Sequence, residues 1–473
     1  MTRSYDETVE WILSFINWEA VRSRQTMAAR LDSPENFARA LGRLGHPERA
    51  VPAIHVGGTN GKGSTAAISR ALLSAHGLSC GLYTSPHLID MRERVSIDGR
   101  PISRAAFVRA AREAAGIVDA APAAGFRTTF EILTALAFIA FREAGVDAMV
   151  IEVGLGGRLD STNVLLPRAI AITSISLDHT EVLGGTLGAI ATDKAGIFRR
   201  GVPVVSAPQA PPAAEALMRE ARRVGAPLEF IGKEVLCHLG APTSRGERLT
   251  VTTPLAVYAD LDLALRGNYQ GENAALAIRA VEQFRGGALD PSAVREAFRR
   301  VRWPGRFELL CRSPWLVVDG AHNPDGAARL VENLDRHAPG RPIIGVVGAS
   351  LGKDVARILT TLAPRLAGLV AVSARHPRAV TADRLAAMAR EAGILATETA
   401  PSIEQALLAA RRLAGPTGGI CVAGSLYLVG DLLEGWPTWK KNFRLSAPAP
   451  ASAPSRRPGN KKAGPPSRPR PGS

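Results

Sequence analysis

Residues 55–65 constrain this chain more than any other stretch. His55-Val-Gly-Gly-Thr-Asn-Gly-Lys-Gly-Ser-Thr65 lies between a β-branched, apolar run at 51–56 and a helix-compatible run at 64–76. Strand, glycine-rich turn, lysine and hydroxyl, then helix is an arrangement that cradles phosphates. Gly57, Gly58, Gly61 and Gly63 let backbone N–H groups approach the oxygens, and the helix N-terminus adds a favourable field. Lys62 then reaches the outer phosphates, while Ser64 and Thr65 bring hydroxyls near a Mg²⁺ ion. Thr59 and Asn60 complete the turn. The loop is shorter than the commoner phosphate loop, and Gly63 separates the lysine from the hydroxyl. Alone, it also reads as an ordinary glycine-rich turn, so the rest of the chain has to decide.

Downstream runs at 79–83, 147–153, 169–175, 202–206 and near Leu228 are continuously apolar rather than alternating. That pattern suits parallel strands covered on both faces, and helical periodicity separates them at 103–121, 129–143, 186–198 and 211–224. Upstream, Val9, Ile12, Leu13 and Ile16 predict a helix over 5–18. A second helix is expected over 34–44, capped by Ser33 with Pro34 in its first turn. Residues 249–266 alternate loosely, as in a small β ribbon, and 267–273 open a helix running to Phe284. The pattern breaks at 301–306. A second α/β series follows, with strands at 315–319, 342–348, 368–373 and 419–424. The expected class is α/β: a parallel-sheet domain with the phosphate loop over 1–300, then a smaller α/β domain over 301–445.

The 473 residues carry a net charge of +15, which draws attention to nucleic acid. Six of those positive charges (Arg456, Arg457, Lys461, Lys462, Arg468 and Arg470) sit in a Pro-, Ala- and Ser-rich tail at 446–473, leaving +9 for the rest. Such a tail cannot bury enough apolar surface to fold, and a disordered appendage is expected there. No run of eighteen apolar residues exists, so no membrane span is expected. The polar, acidic first ten residues read as neither a secretory signal nor a transit peptide. Four cysteines without metal-type spacing suit a reducing cytoplasm.

Phosphoryl transfer needs a phosphate cradle, a divalent cation and positive charge on the migrating group. Glu152, at a strand end, is a natural hard oxygen ligand for Mg²⁺, and Ser85 in a Pro-kinked loop offers a hydroxyl. His179 also falls at a strand end, although Mg²⁺ prefers oxygen. On residues alone Lys194 reads as a solvated helix lysine, while Asp319 and His322, at the mouth of the second domain, read equally as site residues or as turn and cap residues. Arg306, at the domain junction, has the reach to return to a phosphate.

Seven segments occur in one order: Gly58-Thr-Asn-Gly-Lys-Gly-Ser64, Thr84-Ser-Pro-His87, Glu152-Val-Gly-Leu-Gly-Gly-Arg-Leu-Asp160, Leu177-Asp-His-Thr180, Lys194-Ala-Gly196, Gly267-Asn-Tyr-Gln270 and Asp319-Gly-Ala-His-Asn-Pro324. Together they resemble the folylpolyglutamate synthase family, including its bifunctional dihydrofolate synthase members, within the ATP-dependent muramyl-peptide ligase superfamily. The resemblance implies a P-loop ATPase-like domain and a smaller Rossmann-like α/β domain that closes over ATP. It implies that Lys62 and Ser64 hold phosphates, that Ser85, Glu152 and His179 bind Mg²⁺, and that Lys194 carries a carbamate that also binds it. Asn268 would contact adenine, and Arg306, Asp319 and His322 would complete the nucleotide site. Thr128, Phe130, Asp160 and Ser161 match positions that hold dihydropteroate. The implied reaction joins L-glutamate to dihydropteroate, tetrahydrofolate or both through an acyl phosphate, with Lys62, His179 and Lys194 as the catalytic set and a monomer as the working unit.

Two other readings fit less well. A muramyl-peptide ligase carries a UDP-sugar-binding domain before its phosphate loop, and some fifty residues cannot supply one. A P-loop switch or nucleic-acid binder leaves the segments at 152, 179, 194 and 319 without a role, so no specific nucleic-acid partner is expected.

Overall fold

The computed structural model describes residues 3–17, 34–120, 126, 128–445 and 472. Its larger sheet contains β1 (Ala53–Gly57), β2 (Cys80–Tyr83), β3 (Val95–Ile97), β4 (Arg100–Pro101), β5 (Ala148–Glu152), β6 (Ala169–Ile172), β7 (Val204–Ser206) and β8 (Leu228–Phe230). Their order is β4-β3-β2-β5-β1-β6-β7-β8. The six strands from β2 to β8 pair in parallel, and β3 and β4 add an antiparallel edge that the apolar pattern did not announce.

Continuous apolar strands are explained by what covers each face. Ile54 and Val56 pack against Leu72 of helix Lys62–Ala75 and Ile278 of helix Tyr269–Arg285. Met149 and Ile151 face the other way, onto Phe138 of helix Thr129–Ala144 and Phe107 of helix Arg104–Ala120. Each fully buried side chain of this size contributes roughly 1.5–3 kcal/mol, which is why both faces stay covered. β1 lies between β5 and β6, so the loops leaving all three strands gather over one end of the sheet, where ligands bind in open α/β folds.

The expected ribbon is a three-stranded antiparallel sheet of β9 (Leu236–Leu239), β10 (Glu247–Thr252) and β11 (Val257–Leu263). The second lobe is built on β12 (Glu308–Arg312), β13 (Trp315–Val318), β14 (Ile343–Val347), β15 (Leu366–Val372), β16 (Thr397–Ala400) and β17 (Gly419–Ala423). Their order is β12-β13-β17-β14-β15-β16, parallel except for β12 on β13. Helices Pro324–His337, Val355–Leu362 and Ala382–Glu391 cover one face, and Ile403–Ala414 and Leu426–Leu445 the other.

Some boundaries differ from the sequence reading. The first helix, expected over 5–18, is Tyr5–Leu13, because the backbone at Ile16 pairs with Thr128 instead of continuing the spiral. The helix expected over 186–198 is Leu187–Lys194, and its last residues tighten into a 3₁₀ turn, Ala195–Ile197. Ser33 and the expected disordered tail, apart from Gly472, lie outside the described residues. The four cysteines are all free thiols, three of them buried. Among the described residues no helix is long and apolar enough to cross a membrane.

The lobes are joined by a buried charge. Glu247 on β10, fully shielded, accepts from Gly267 N at 2.9 Å and meets Arg336 Nη2 at 3.0 Å and His337 Nε2 at 2.8 Å. Burial opposes its ionisation, yet these bonds hold the carboxyl below its usual range. A depressed acid stabilises the fold above its unfolded value, near 4.5, and that share is lost as pH falls through the folded value. Glu247→Ala is expected to destabilise the protein by about 3 kcal/mol at pH 7, because Arg336 and His337 lose their buried partner. Urea denaturation at pH 7 and in acid checks this; the difference between variant and parent should shrink in acid.

Candidate active site

The carboxyl ends of β1, β5 and β6 open into a cleft of about 640 Å³, which the second lobe closes from the far side. Its floor is the phosphate loop. Gly58 and Gly61 sit at φ +132° and +94°, where only glycine is comfortable. A Cβ on Gly58 would overlap the Thr173 side chain, and one on Gly61 the Asn273 amide. Thr59 N and Asn60 N donate to Ser174 O at 2.9 and 3.3 Å, which ties the loop to the segment after β6. Helix Lys62–Ala75 starts from Gly61, so its unpaired N–H groups face the cleft. Lys62, half-buried, donates from Nζ to Thr59 O at 3.1 Å. Gly63 and Ser64 also line the cleft. Thr65 does not: it is fully buried behind the loop, its hydroxyl 3.4 Å from Asn273 Oδ1, so the expected cation-side hydroxyl rests on Ser64 alone. Gly58→Ala is expected to destabilise the fold by about 2 kcal/mol and to weaken nucleotide binding sharply, from strain and overlap. Thermal melting with and without ADP checks it; an ADP-induced shift equal to the parent's would contradict it.

Glu152, at the end of β5, is 4% exposed and accepts from Ser85 N at 3.1 Å. Burial pushes its carboxyl up, against the pull of Lys62, Arg306 and Arg94. Lys194 ends its helix 5% exposed, donating from Nζ to Gly58 O at 2.8 Å. Burial first, and then the neighbouring Lys62, lower its pKa to about 7. His179 lines the same wall in a left-handed conformation, φ +51°. Beside it Asp178 accepts from Lys353 Nζ at 2.6 Å and Asn323 Nδ2 at 3.2 Å, with His179 and His322 each at 3.8 Å. Burial opposes its ionisation, but Lys353 and the two histidines hold the Asp178 carboxyl far below the usual range.

From the second lobe, Asp319 follows β13. Its oxygens accept from Ala321 N at 2.7 Å, Phe307 N at 2.8 Å and Tyr269 Oη at 3.1 Å, while burial raises its pKa. His322 donates from Nδ1 to Gly320 O at 2.7 Å; burial and Lys353 lower it to about 4, so it is neutral at pH 7. Arg306 lines the cleft beside them. Asn60 Nδ2 donates to Asp325 Oδ2 at 2.8 Å and Asn323 Nδ2 to Asn60 Oδ1 at 3.1 Å, so the phosphate loop bonds directly to the second lobe. Asn268 lies outside the cleft lining. Its amide donates to Glu332 Oε2 at 2.8 Å and accepts from Asn333 Nδ2 at 3.2 Å, so both ends are engaged at the lobe seam.

Thr128, Phe130, Asp160 and Ser161 all line the cleft as well. Thr128 caps helix Thr129–Ala144 in a capping box with Glu131, so its hydroxyl also serves the backbone. Phe130 packs over Gly154, where a Cβ would strike its ring. Asp160 accepts from Leu155 N at 2.8 Å and Thr162 N at 3.0 Å, and burial raises its pKa. The sequence reading did not select Arg94, Tyr269, Arg329, Lys353, Arg378 or Tyr427, which also line the cleft. Most are single residues from distant segments; only Tyr269 sat inside a motif. Among the described residues no three His, Cys, Asp or Glu side chains gather as a ready metal site.

The Mur ligase middle domain matches residues 56–281, and the Mur ligase glutamate ligase domain matches 305–426. A Mycobacterium tuberculosis dihydrofolate synthase/folylpolyglutamate synthase is 37% identical over 404 residues, 81% of this chain and 83% of that one. The chain belongs to the folylpolyglutamate synthase family of Mur ligases. Family resemblance extends to solved structures. A Mycobacterium tuberculosis folylpolyglutamate synthase complexed with ADP and AMPPCP superposes with TM-score 0.81 at 37% identity, covering 85% of this chain and 95% of that one. An Escherichia coli structure described as FolC in complex with DHPP and ADP also reaches 0.81, at 28% identity, covering 93% and 100%. In this folylpolyglutamate synthase family member the glutamate ligase match starts at Gly305, just before Arg306 enters the cleft.

Proposed function

We propose that the chain uses ATP to join the amine of L-glutamate to a carboxylate of dihydropteroate, of a tetrahydrofolate, or of both. One observation carries this reading: Lys62, Glu152, His179 and Lys194 of the first lobe face the same cleft as Arg306, Asp319 and His322 of the second. In this reading residues 1–300 bind the nucleotide, 301–445 form the glutamate-ligase lobe, and the basic tail at 446–473 plays no part in the chemistry.

The phosphate loop and Lys62 hold the β- and γ-phosphates, and the acceptor carboxylate attacks the γ-phosphorus to give an acyl phosphate and ADP. The glutamate amine then attacks the activated carbonyl, and phosphate leaves with one former carboxylate oxygen. No protein nucleophile is required. Lys62 and Arg306 balance charge in both steps, and the closed lobes keep water from the acyl phosphate. Neutral His322, its Nδ1 committed to Gly320, presents Nε2 to the Asp178 side of the cleft.

The donors fit Mg²⁺. Glu152 is a buried carboxylate whose ionised form burial penalises, and a hard cation relieves that penalty. Ser85, bonded through its N–H to Glu152, and His179 line the same cleft. Lys194 as an ammonium repels a cation; as a carbamate it supplies anionic oxygen, and nucleotide phosphates supply the rest. Bound there, Mg²⁺ neutralises charge on the transferring phosphoryl group. We place the enzyme in the cytoplasm as a monomer without a specific nucleic-acid partner. The test is purified protein with ATP, L-glutamate and either dihydropteroate or tetrahydrofolate, with products read by mass. A gain of one or more glutamyl residues supports the function; ATP turnover dependent on RNA or DNA instead would overturn it.

A further inference from the structure

His55 is the one fully buried histidine on the central strand, and the chemistry above makes no use of it. Its Nε2 lies 2.8 Å from Thr162 Oγ1. Thr162 Oγ1 lies 2.5 Å from Asp160 Oδ1, and Asp160 Oδ2 accepts from Leu155 N at 2.8 Å. Asp160, Leu155 and Ser161 all line the acceptor end of the cleft. A line of hydrogen bonds therefore runs from the middle of β1 to the wall on which the acceptor is proposed to sit.

The direction of that line follows from counting protons. Threonine has one hydroxyl proton. If His55 carried its proton on Nδ1, Nε2 would draw in the Thr162 proton, and Thr162 Oγ1 would turn a lone pair on a carboxylate oxygen 2.5 Å away. The Nδ1 proton would also be a buried donor with nothing to accept it, since that nitrogen has no hydrogen-bond partner. With the proton on Nε2 each contact is a donor facing an acceptor: His55 to Thr162, and Thr162 to Asp160.

We propose that His55 is a positioning residue for the acceptor site: by donating to Thr162 it commits the threonine hydroxyl to Asp160, and so fixes the Asp160 carboxylate and the Leu155 backbone against which the pteridine-bearing acceptor binds. His55 touches no substrate and acts only through Thr162 and Asp160. Burial supports the assignment, since it lowers the histidine to a pKa of about 3 and leaves a neutral ring with a single proton. The inference rests on the proposed function and adds a residue beneath the site that determines acceptor affinity rather than phosphoryl chemistry.

The test uses the full chain in initial-rate kinetics with ATP, L-glutamate and, as acceptor, dihydropteroate or tetrahydrofolate. Thr162→Val keeps the main-chain donor to Asp160 and the side-chain shape but removes the hydroxyl. It is expected to raise the acceptor KM about tenfold, the loss of one charge-assisted hydrogen bond. The KM for ATP should stay within about twofold, since the phosphate loop is untouched. Thr162→Ser should restore the acceptor KM, and His55→Gln, which keeps a side-chain donor, should fall between Ser and Val. Equal KM values for Val and Ser variants would overturn the proposal, as would a parallel rise for all three substrates. A parent enzyme that glutamylates neither acceptor overturns the proposed function, and this inference with it.

Discussion

Replacing Lys62 with alanine is expected to lower kcat for ligation by about a thousandfold or more while leaving the fold intact, an effect of the size seen when a preorganised charge on a transferring group is removed. The fold should survive because Lys62 makes one local bond, to Thr59 O, and none to the core. Its loss should be felt in the chemistry for the same reason. Glu152 and the incoming phosphates concentrate negative charge in a cleft to which Lys62 and Arg306 bring positive charge from opposite lobes. ADP release and thermal melting, measured together, separate the two effects. Turnover near the parent's would remove the phosphate cradle from the account, and a collapsed melting transition would show that Lys62 supports the fold.

The second large effect belongs to Lys194. An ordinary lysine, with pKa near 10.5, is neutral in about one molecule in three thousand at pH 7. With its pKa lowered to about 7, roughly half of Lys194 is neutral there. In the proposed carbamate the free amine attacks CO₂: a bond forms from Nζ to carbon, one C–O π pair moves to oxygen, and an N–H proton leaves to solvent. A buried cation would thereby become a buried anion in the cleft that Glu152 also lines, and both would offer hard oxygen to a divalent cation. Lys194→Ala is expected to lose activity by about a hundredfold or more, partly restored by bicarbonate or a short carboxylate that fills the vacated space. As pH falls below 7 the amine protonates, the carbamate is lost, and activity in CO₂-depleted buffer should fall first. An active variant indifferent to bicarbonate would dispose of the carbamate.

What could be read from the sequence was whatever is written locally. The phosphate loop announces itself because Gly58 and Gly61 are backbone requirements, and a left-handed turn with no room for a Cβ leaves glycine as the residue that fits. The parallel sheets were legible because β1, β5 and β14 are buried on both faces and so read as unbroken apolar runs. β16, Thr-Glu-Thr-Ala, lies at a sheet edge, is only partly buried and carries no such run, so it was not among the expected strands. Side-chain roles set by distant partners were not legible. Asn268 turns its amide to Asn333 and Glu332, sixty-five and sixty-four residues away, and Thr65 turns inward to Asn273. Lys353 enters the cleft because Asp178, on the other lobe, holds it there; nothing in its own neighbourhood marks it.

The same distinction bears on the two ends of the cleft. At the proposed phosphate site the binding falls to backbone groups, and a short motif specifies them. At the proposed acceptor site Thr128 and Asp160 also bond to the main chain, so they shape the cleft lining as well as facing it. Substitutions at Asp160 are therefore expected to change the acceptor KM through the position of Leu155 as well as through direct contact.

The central claim is that a substrate carboxylate takes the γ-phosphoryl group and is then displaced by an amine. Acceptor labelled with ¹⁸O in its carboxylate, incubated with the enzyme, ATP and L-glutamate, tests it most directly. The account predicts one ¹⁸O atom in each phosphate released, carried over when the acyl phosphate breaks at its carbonyl carbon. Ligated product accompanied by unlabelled phosphate would contradict it.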